Sequence, residues 1–238
     1  DVFNRTFSSR QQTSHKLSES IATGKRVNHA YEDAATLSVS EGMTTRITAM
    51  EKGSYNAEDA SNLLNRADDV YKSSIEALQK MRDLSVQGAN GTYSSEEYTT
   101  ISEQLQSNHN LLDQLGGFNY LEQEYLSGST PTNINILIGP ESSNTININQ
   151  NGVFNDYNPE DNIGSVTITS ADEARTLIDK IDSAITTTLE RQTNIGAMQN
   201  KIESIIKDTS LGVVNLQASN ANMMDTDYAK VMTQKAKN

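Results

Sequence analysis

The chain is expected to be mainly α, an elongated antiparallel helical bundle or coiled coil with a small β-hairpin region. Three observations predict this. A proline-free stretch over residues 33–90 repeats its apolar residues at helical intervals, and a second such stretch opens near residue 170 and runs to the end. All three prolines fall between them, at Pro131, Pro140 and Pro159. Only 35% of the 238 residues are hydrophobic and 5% aromatic, with no tryptophan, a supply suited to narrow helix seams rather than to a large spherical core.

Residues 1–29 place Phe3, Phe7, Leu17 and Ile21 on a heptad line completed by the polar Arg10 and Ser14, which predicts a helix with a weak seam. Gly24 interrupts it, and GKRVNHAY (residues 24–31) reads as a connector, either an ordinary joint or a functional hinge. The long helix then carries Met43, Met50, Ala57, Leu64, Tyr71 and Leu78 in steps of seven. A second row runs through Leu63, Val70, Ala77 and Leu84. At 1.5 Å per residue, roughly 57 residues make about 85 Å, too long to bury one stripe in a compact core without partner helices. Gly42 and Gly53 lie inside it, each costing about 1 kcal/mol relative to alanine, and mark either a break or close contacts. The helix should stop at residues 88–91.

Ser94 with Glu97 forms a capping-box pattern. It opens a shorter helix with Tyr98, Ile101, Leu105, Leu112 and Leu115 on one face, ended by Gly116 and Gly117. Ile134, Ile136 and Ile138, then Ile146 and Ile148, alternate with their neighbours and predict a hairpin joined through residues 139–144. Val166 and Ile168 are expected to add a short strand. Ser170 with Glu173 is a second capping box. The final helix follows through Leu177, Ile181, Ala184, Ile185, Thr188, Leu189, Ile195, Met198, Ile202 and Ile205. It is expected to tolerate Gly196 and Gly212 and to continue, more weakly, through Met223, Met224, Tyr228, Val231 and Met232. The two long helices should pack antiparallel.

The formal net charge is −12, which disfavours nucleic acid and anionic membrane as partners, and no apolar run is long enough to insert in a bilayer. With no cysteine there are no disulfides, thiolate metal sites or cysteine nucleophiles. His15, His29 and His109 have no second ligand at metal spacing and read as surface residues. The close carboxylates Asp68–Asp69, Glu96–Glu97 and Glu122/Glu124 read as solvated faces. No catalytic residue, metal site or cofactor is expected, and the chain is read as not an enzyme.

Several blocks resemble bacterial flagellins, in the correct order and over nearly the whole chain. They are LSESIATGKRVNHAYEDAATLSVSEGM (residues 17–43), LQKMRDLSVQGANGTYSSEE (78–97), FNY (118–120), NINILIGPESSNTININ (133–149), IGAMQNKIES (195–204) and MMDTDYAK (223–230). The resemblance implies a secreted structural subunit that self-assembles with its own copies into the helical tube of the flagellar filament used for swimming. It further implies export without a cleavable signal peptide, and contacts with an export chaperone and with hook-junction and cap proteins. Five segments are expected: residues 1–32, inner-layer helix and connector; 33–130, first part of the helical rod; 131–169, hairpin region and vestigial variable segment; 170–215, rod helix; 216–238, start of the carboxy-terminal inner-layer helix. Within the connector, Gly24, Arg26, Asn28 and Asp33 are the hinge candidates.

Against the family pattern the chain starts about ten residues late and stops some forty early. It therefore reads as a minimal form, trimmed at both ends and lacking large outer domains, with impaired polymerisation expected. The resemblance also implies a patch of subunit contact or of Toll-like receptor 5 recognition at Gln79, Lys80, Arg82, Leu84, Gln87 and Asn108. Lys80 stands where arginine is usual and Asn108 where glutamate is expected. Lysine lacks arginine's planar fork, so weak receptor recognition is expected. A hook–filament junction protein of the same plan is the alternative function, and an enzyme on a helical scaffold a more distant one.

Overall fold

The computed structural model describes residues 2–117, 119–120, 123–124, 134–149 and 163–237. The expectations for Phe118, Glu122, Pro131, Pro159 and the variable segment 151–162 fall outside these residues. Helix α1 spans Val2–Thr23, α2 Ala34–Gly88, α3 Ser95–Gly116, α4 Ala171–Met224 and α5 Tyr228–Lys237. Strands β1 (Asn119–Tyr120) and β2 (Gln123–Glu124) form one antiparallel pair. Strands β3 (Asn135–Leu137) and β4 (Thr145–Asn147) form the expected hairpin, with Ile136 opposite Ile146. The chain divides into two units, the first comprising Asp1–Tyr55, Ile138–Asn144 and Lys207–Asn238, the second Asn56–Leu137 and Thr145–Ile206.

The second unit holds most of the core. Leu64, Tyr71, Leu78 and Met81 of α2 are fully buried, as are Leu105 and Leu112 of α3 and Ile181 and Ile195 of α4. Ile163, Val166 and Ile168 close the cluster built by α2, α3 and α4. The apolar period of 3.6 therefore does what it predicts: the stripe of each helix is the face that meets the others. Three polar pairs set the direction of α2 against α4. Arg82 meets Asp182 at 2.6 Å, Asp68 accepts from Gln192 at 3.0 Å, and Asn65 accepts from Gln199 at 2.9 Å. Numbers fall on one helix as they rise on the other, so the two are antiparallel, as expected.

Four details of this unit differ from expectation. Val166 and Ile168 are buried but form no strand. The Ser102 hydroxyl donates to the Ile168 carbonyl at 3.1 Å and accepts from its N–H at 3.0 Å, so a side chain on α3 takes the place of a neighbouring strand. His109 is not a surface residue; it is 7% exposed, because its place four residues after Leu105 and three before Leu112 puts it on the buried stripe. Leu189 is 46% exposed while Thr188 beside it is buried, its hydroxyl satisfied by the Ala184 carbonyl at 2.7 Å. The second capping box is displaced. Ser170 accepts from the Glu173 N–H, but the Glu173 carboxylate reaches one residue further back, to the Thr169 N–H and hydroxyl. At α3 the box is complete, with Ser94 and Glu97 bonded reciprocally.

In the first unit α2 runs without a break through Gly42 and Gly53. A Cβ on Gly53 would lie 2.5 Å from the backbone of Ile138, whereas one on Gly42 would meet nothing within 4 Å. Gly53 is thus a close contact with the loop joining β3 to β4, and the Gly42 position is open. Gly212 of α4 plays a similar part, since a Cβ there would strike the Met50 side chain. The expectation that the last helix continues to the end is corrected. α4 stops at Met224, and α5 begins anew after Asp227, whose carboxylate accepts from the Lys230 N–H. Within the Asp-Thr-Asp run, Asp227 supplies the capping side chain of the new helix. α5 then packs on α1, with the Tyr228 hydroxyl at its start donating to the Ile21 carbonyl near the end of α1. The two helices are therefore antiparallel.

Candidate assembly and recognition surfaces

The four hinge candidates all lie in one well-bonded joint. Gly24 ends α1 with φ +72°, the left-handed conformation that glycine adopts without strain, and its N–H donates to the Ser20 carbonyl. From there the connector pairs with the break between α4 and α5. The Gly24 carbonyl accepts from the Thr226 N–H at 2.9 Å, and the Arg26 N–H donates to the Met224 carbonyl at 2.6 Å. The Arg26 guanidinium also reaches the Met223 carbonyl, at 3.0 Å through Nη2. A cation thus sits on the unsatisfied carbonyls at the end of α4, where the helix dipole favours it. Asn28 Nδ2 donates to the Lys25 carbonyl, and the Asp33 carboxylate caps α2 by accepting from the Thr36 N–H and hydroxyl.

Three residues of this joint were not legible as site residues. Glu32 has a side chain only 4% exposed. It accepts the Asn28 N–H at 2.8 Å and the His29 N–H at 3.3 Å, and pairs with the Lys16 ammonium at 3.0 Å. The Asn28 N–H above all, and after it Lys16 and the His29 N–H, hold its carboxyl below the usual carboxylate range despite the opposing effect of burial. Met224, the last residue of α4, is buried at 5% exposure, and Val27 is 2% exposed. The signal for Glu32 was present as an acidic residue four positions after Asn28; what hid it was that two of its partners are backbone groups of a loop.

The residues expected to form a subunit-contact or receptor patch divide differently. Gln79, Lys80, Arg82 and Gln87 are exposed on α2, and Leu84 is half-buried against the core cluster. Arg82 is engaged through two bonds with Asp182 of α4, at 2.6 and 3.4 Å. Asn108 lies half-buried on α3, and its amide donates to the Gln104 carbonyl of its own helix.

The first unit also leaves much apolar surface uncovered. Phe3 is 80% and Phe7 62% exposed on α1, Leu211 62% and Val214 57% on α4, and Met232 55% on α5. Among its described residues only Val27, Ile47 and Met224 are buried hydrophobics.

Comparison with known proteins decides what such a chain is. The bacterial flagellin N-terminal helical region matches residues 2–129, and the bacterial flagellin C-terminal helical region matches residues 178–238. The chain belongs to the bacterial flagellin family. It is 28% identical to a flagellin of Halalkalibacterium halodurans over 91% of this chain and 79% of that protein. It is 25% identical to the flagellar filament 30.7 kDa core protein of Treponema maltophilum, over 92% of this chain and 81% of that one. Among solved structures, a putative flagellar hook-associated protein from Vibrio parahaemolyticus superposes with a TM-score of 0.66 over 82% of this chain and all of that one. At 15% identity that likeness shows the shared fold alone. This flagellin is a structural subunit of the bacterial flagellar filament, and the junction-protein alternative is not favoured.

Proposed function

We propose that this flagellin joins the filament through the apolar residues that its first unit leaves open: Phe3 and Phe7, Leu211 and Val214, and Met232. The observation that carries this is the contrast within that unit, where only Val27, Ile47 and Met224 are buried hydrophobics among the described residues. Each exposed phenylalanine ring withdrawn from water contributes about 1.5–3 kcal/mol. Identical copies repeat that gain around a helical lattice, so weak contacts sum to a stable tube. On this reading residues 1–32 and 216–238 serve the inner layer, residues 33–130 and 170–215 the next layer outward, and residues 131–169 the hairpin region. The joint built on Gly24, Arg26, Asn28 and Asp33 sets the angle between layers.

The same reading places the protein outside the cell after export, with an export chaperone shielding the open phenylalanines beforehand and hook-junction and cap proteins meeting the ends of the filament. It assigns the chain no catalytic role, in keeping with a structural family. Toll-like receptor 5 recognition is weak, because Lys80 lacks arginine's fork, Asn108 carries no charge and the Arg82 guanidinium is already paired with Asp182.

The test is Phe3→Asp with Phe7→Asp, introduced into a flagellin-deficient bacterium that expresses this chain. Unchanged helicity of the purified variant is expected, together with fewer filaments and less swimming than the unsubstituted chain gives in the same cells. Normal filaments would overturn the assignment of this surface.

A further inference from the structure

We propose that Asn90 is a self-modification site, at which the side-chain amide is converted to aspartate and isoaspartate by the backbone nitrogen of Gly91. The turn between α2 and α3 sets out the reacting groups. Asn90 and Gly91 are both exposed and outside either helix. The Asn90 backbone is held on both sides: its N–H donates to the Gln87 carbonyl at 3.2 Å, and its carbonyl accepts from the Tyr98 hydroxyl at 3.4 Å. By contrast, no group among the described residues accepts a hydrogen bond from the Gly91 N–H, so the nucleophile is not tied up as it would be in a helix. A Cβ on Gly91 would meet nothing within 4 Å, and without one the nitrogen is sterically open to the neighbouring side chain. The Thr92 hydroxyl donates to Asn90 Oδ1 at 3.1 Å, which draws electrons from the amide carbon and makes it more electrophilic.

The step balances without a co-reactant other than water. The Gly91 nitrogen gives up its proton and bonds to Asn90 Cγ. The bond from Cγ to the side-chain nitrogen breaks, and ammonia leaves with the proton. Water then opens the cyclic imide at either carbonyl. One opening restores the main chain with an aspartate; the other routes the main chain through the former side chain and adds a methylene to the turn. Both products put a negative charge just past the carboxy-terminal end of α2, where the dipole disfavours it. The longer product also displaces the carbonyl that Tyr98, 7% exposed in the core cluster, uses as its partner. A filament subunit outside the cell is not renewed in place, so this conversion records its age.

The experiment incubates the intact purified protein at mildly alkaline pH and maps its peptides by mass spectrometry, resolving aspartate from isoaspartate. Mapping separates Asn90 from the chain's other Asn–Gly pair, Asn151–Gly152. Accumulation of both acids at position 90 is expected, slowed on the order of tenfold by Gly91→Ala, since a Cβ obstructs the approach. Thr92→Val should slow it and Thr92→Ser should not, with circular dichroism unchanged in all three variants. An intact Asn90 in the folded protein, when a free peptide of residues 87–94 has converted, would overturn the proposal. So would an unchanged rate in Gly91→Ala, and equal rates for the two Thr92 variants would remove the hydroxyl from the mechanism.

Discussion

Gly42 and Gly53 sit eleven positions apart inside one helix, and replacing either by alanine removes the same local penalty, about 1 kcal/mol. Their surroundings differ. A methyl on Gly42 meets nothing within 4 Å, so Gly42→Ala is expected to stabilise the chain by nearly that full amount. A methyl on Gly53 lands 2.5 Å from the Ile138 carbonyl carbon and oxygen and 2.9 Å from the Gly139 nitrogen. These are backbone atoms, which cannot rotate aside, and Ile138 is itself tied by its N–H to the Asn144 carbonyl at 2.9 Å. Overpacking of this kind costs about 1–3 kcal/mol, enough to cancel or reverse the helical gain. The difference between the two variants isolates the clash, because the propensity term is common to both. Urea denaturation followed by far-ultraviolet circular dichroism measures it, and hydrogen exchange at the Ile138 amide reports whether the loop has lifted. If the two alanine variants agree within about 0.5 kcal/mol, the close approach of loop to helix is wrong.

Acid should loosen the joint. The Glu32 carboxyl is held below its ordinary 4.5 by the Asn28 N–H first, so its contribution to stability is complete above that value and is lost as pH falls through the lower folded one. Glu32→Gln should flatten that part of the profile of urea midpoint against pH; an unaltered profile would show that the carboxylate is not the group responsible. Leu105→Ala, at a fully buried site, should cost about 2–5 kcal/mol in chemical denaturation. Arg82→Ala, at an exposed pair with Asp182, should cost under about 1 kcal/mol, and the reverse ranking would contradict the core described above. Ser94→Ala removes the cap of α3 and should cost about 1 kcal/mol, read from the same measurement.

Much of the fold was legible because it follows from period. Apolar residues returning every three or four places marked α2, α3 and most of α4, and alternation marked β3 and β4, since each period puts one face of an element toward its neighbours. The flagellin blocks carried the family for the same reason of local pattern. Less legible were places where a distant segment supplies the missing partner. Val166 and Ile168 look like a strand, yet Ser102, 66 residues away, occupies the hydrogen-bonding edge. His109 looks like a surface histidine, yet the folded chain leaves it 7% exposed on the same stripe of α3 as Leu105 and Leu112.

The candidate sites divide along the same line. Gly24, Arg26, Asn28 and Asp33 could be picked out from the blocks that carry them, but not what they bond. Only the folded chain brings the Met223 and Met224 carbonyls, almost two hundred residues on, to Arg26, and closes Glu32 over the Asn28 amide. By itself the sequence determined which residues form helices, which faces are apolar and which family the chain resembles, because those properties reside in neighbours along the backbone. Tertiary structure alone decided that Gly53 is a contact and Gly42 is not, that Arg26 meets the end of α4, and which apolar residues remain open. Those outcomes depend on what packs against a residue, and pairwise proximity between remote segments is not written in either one.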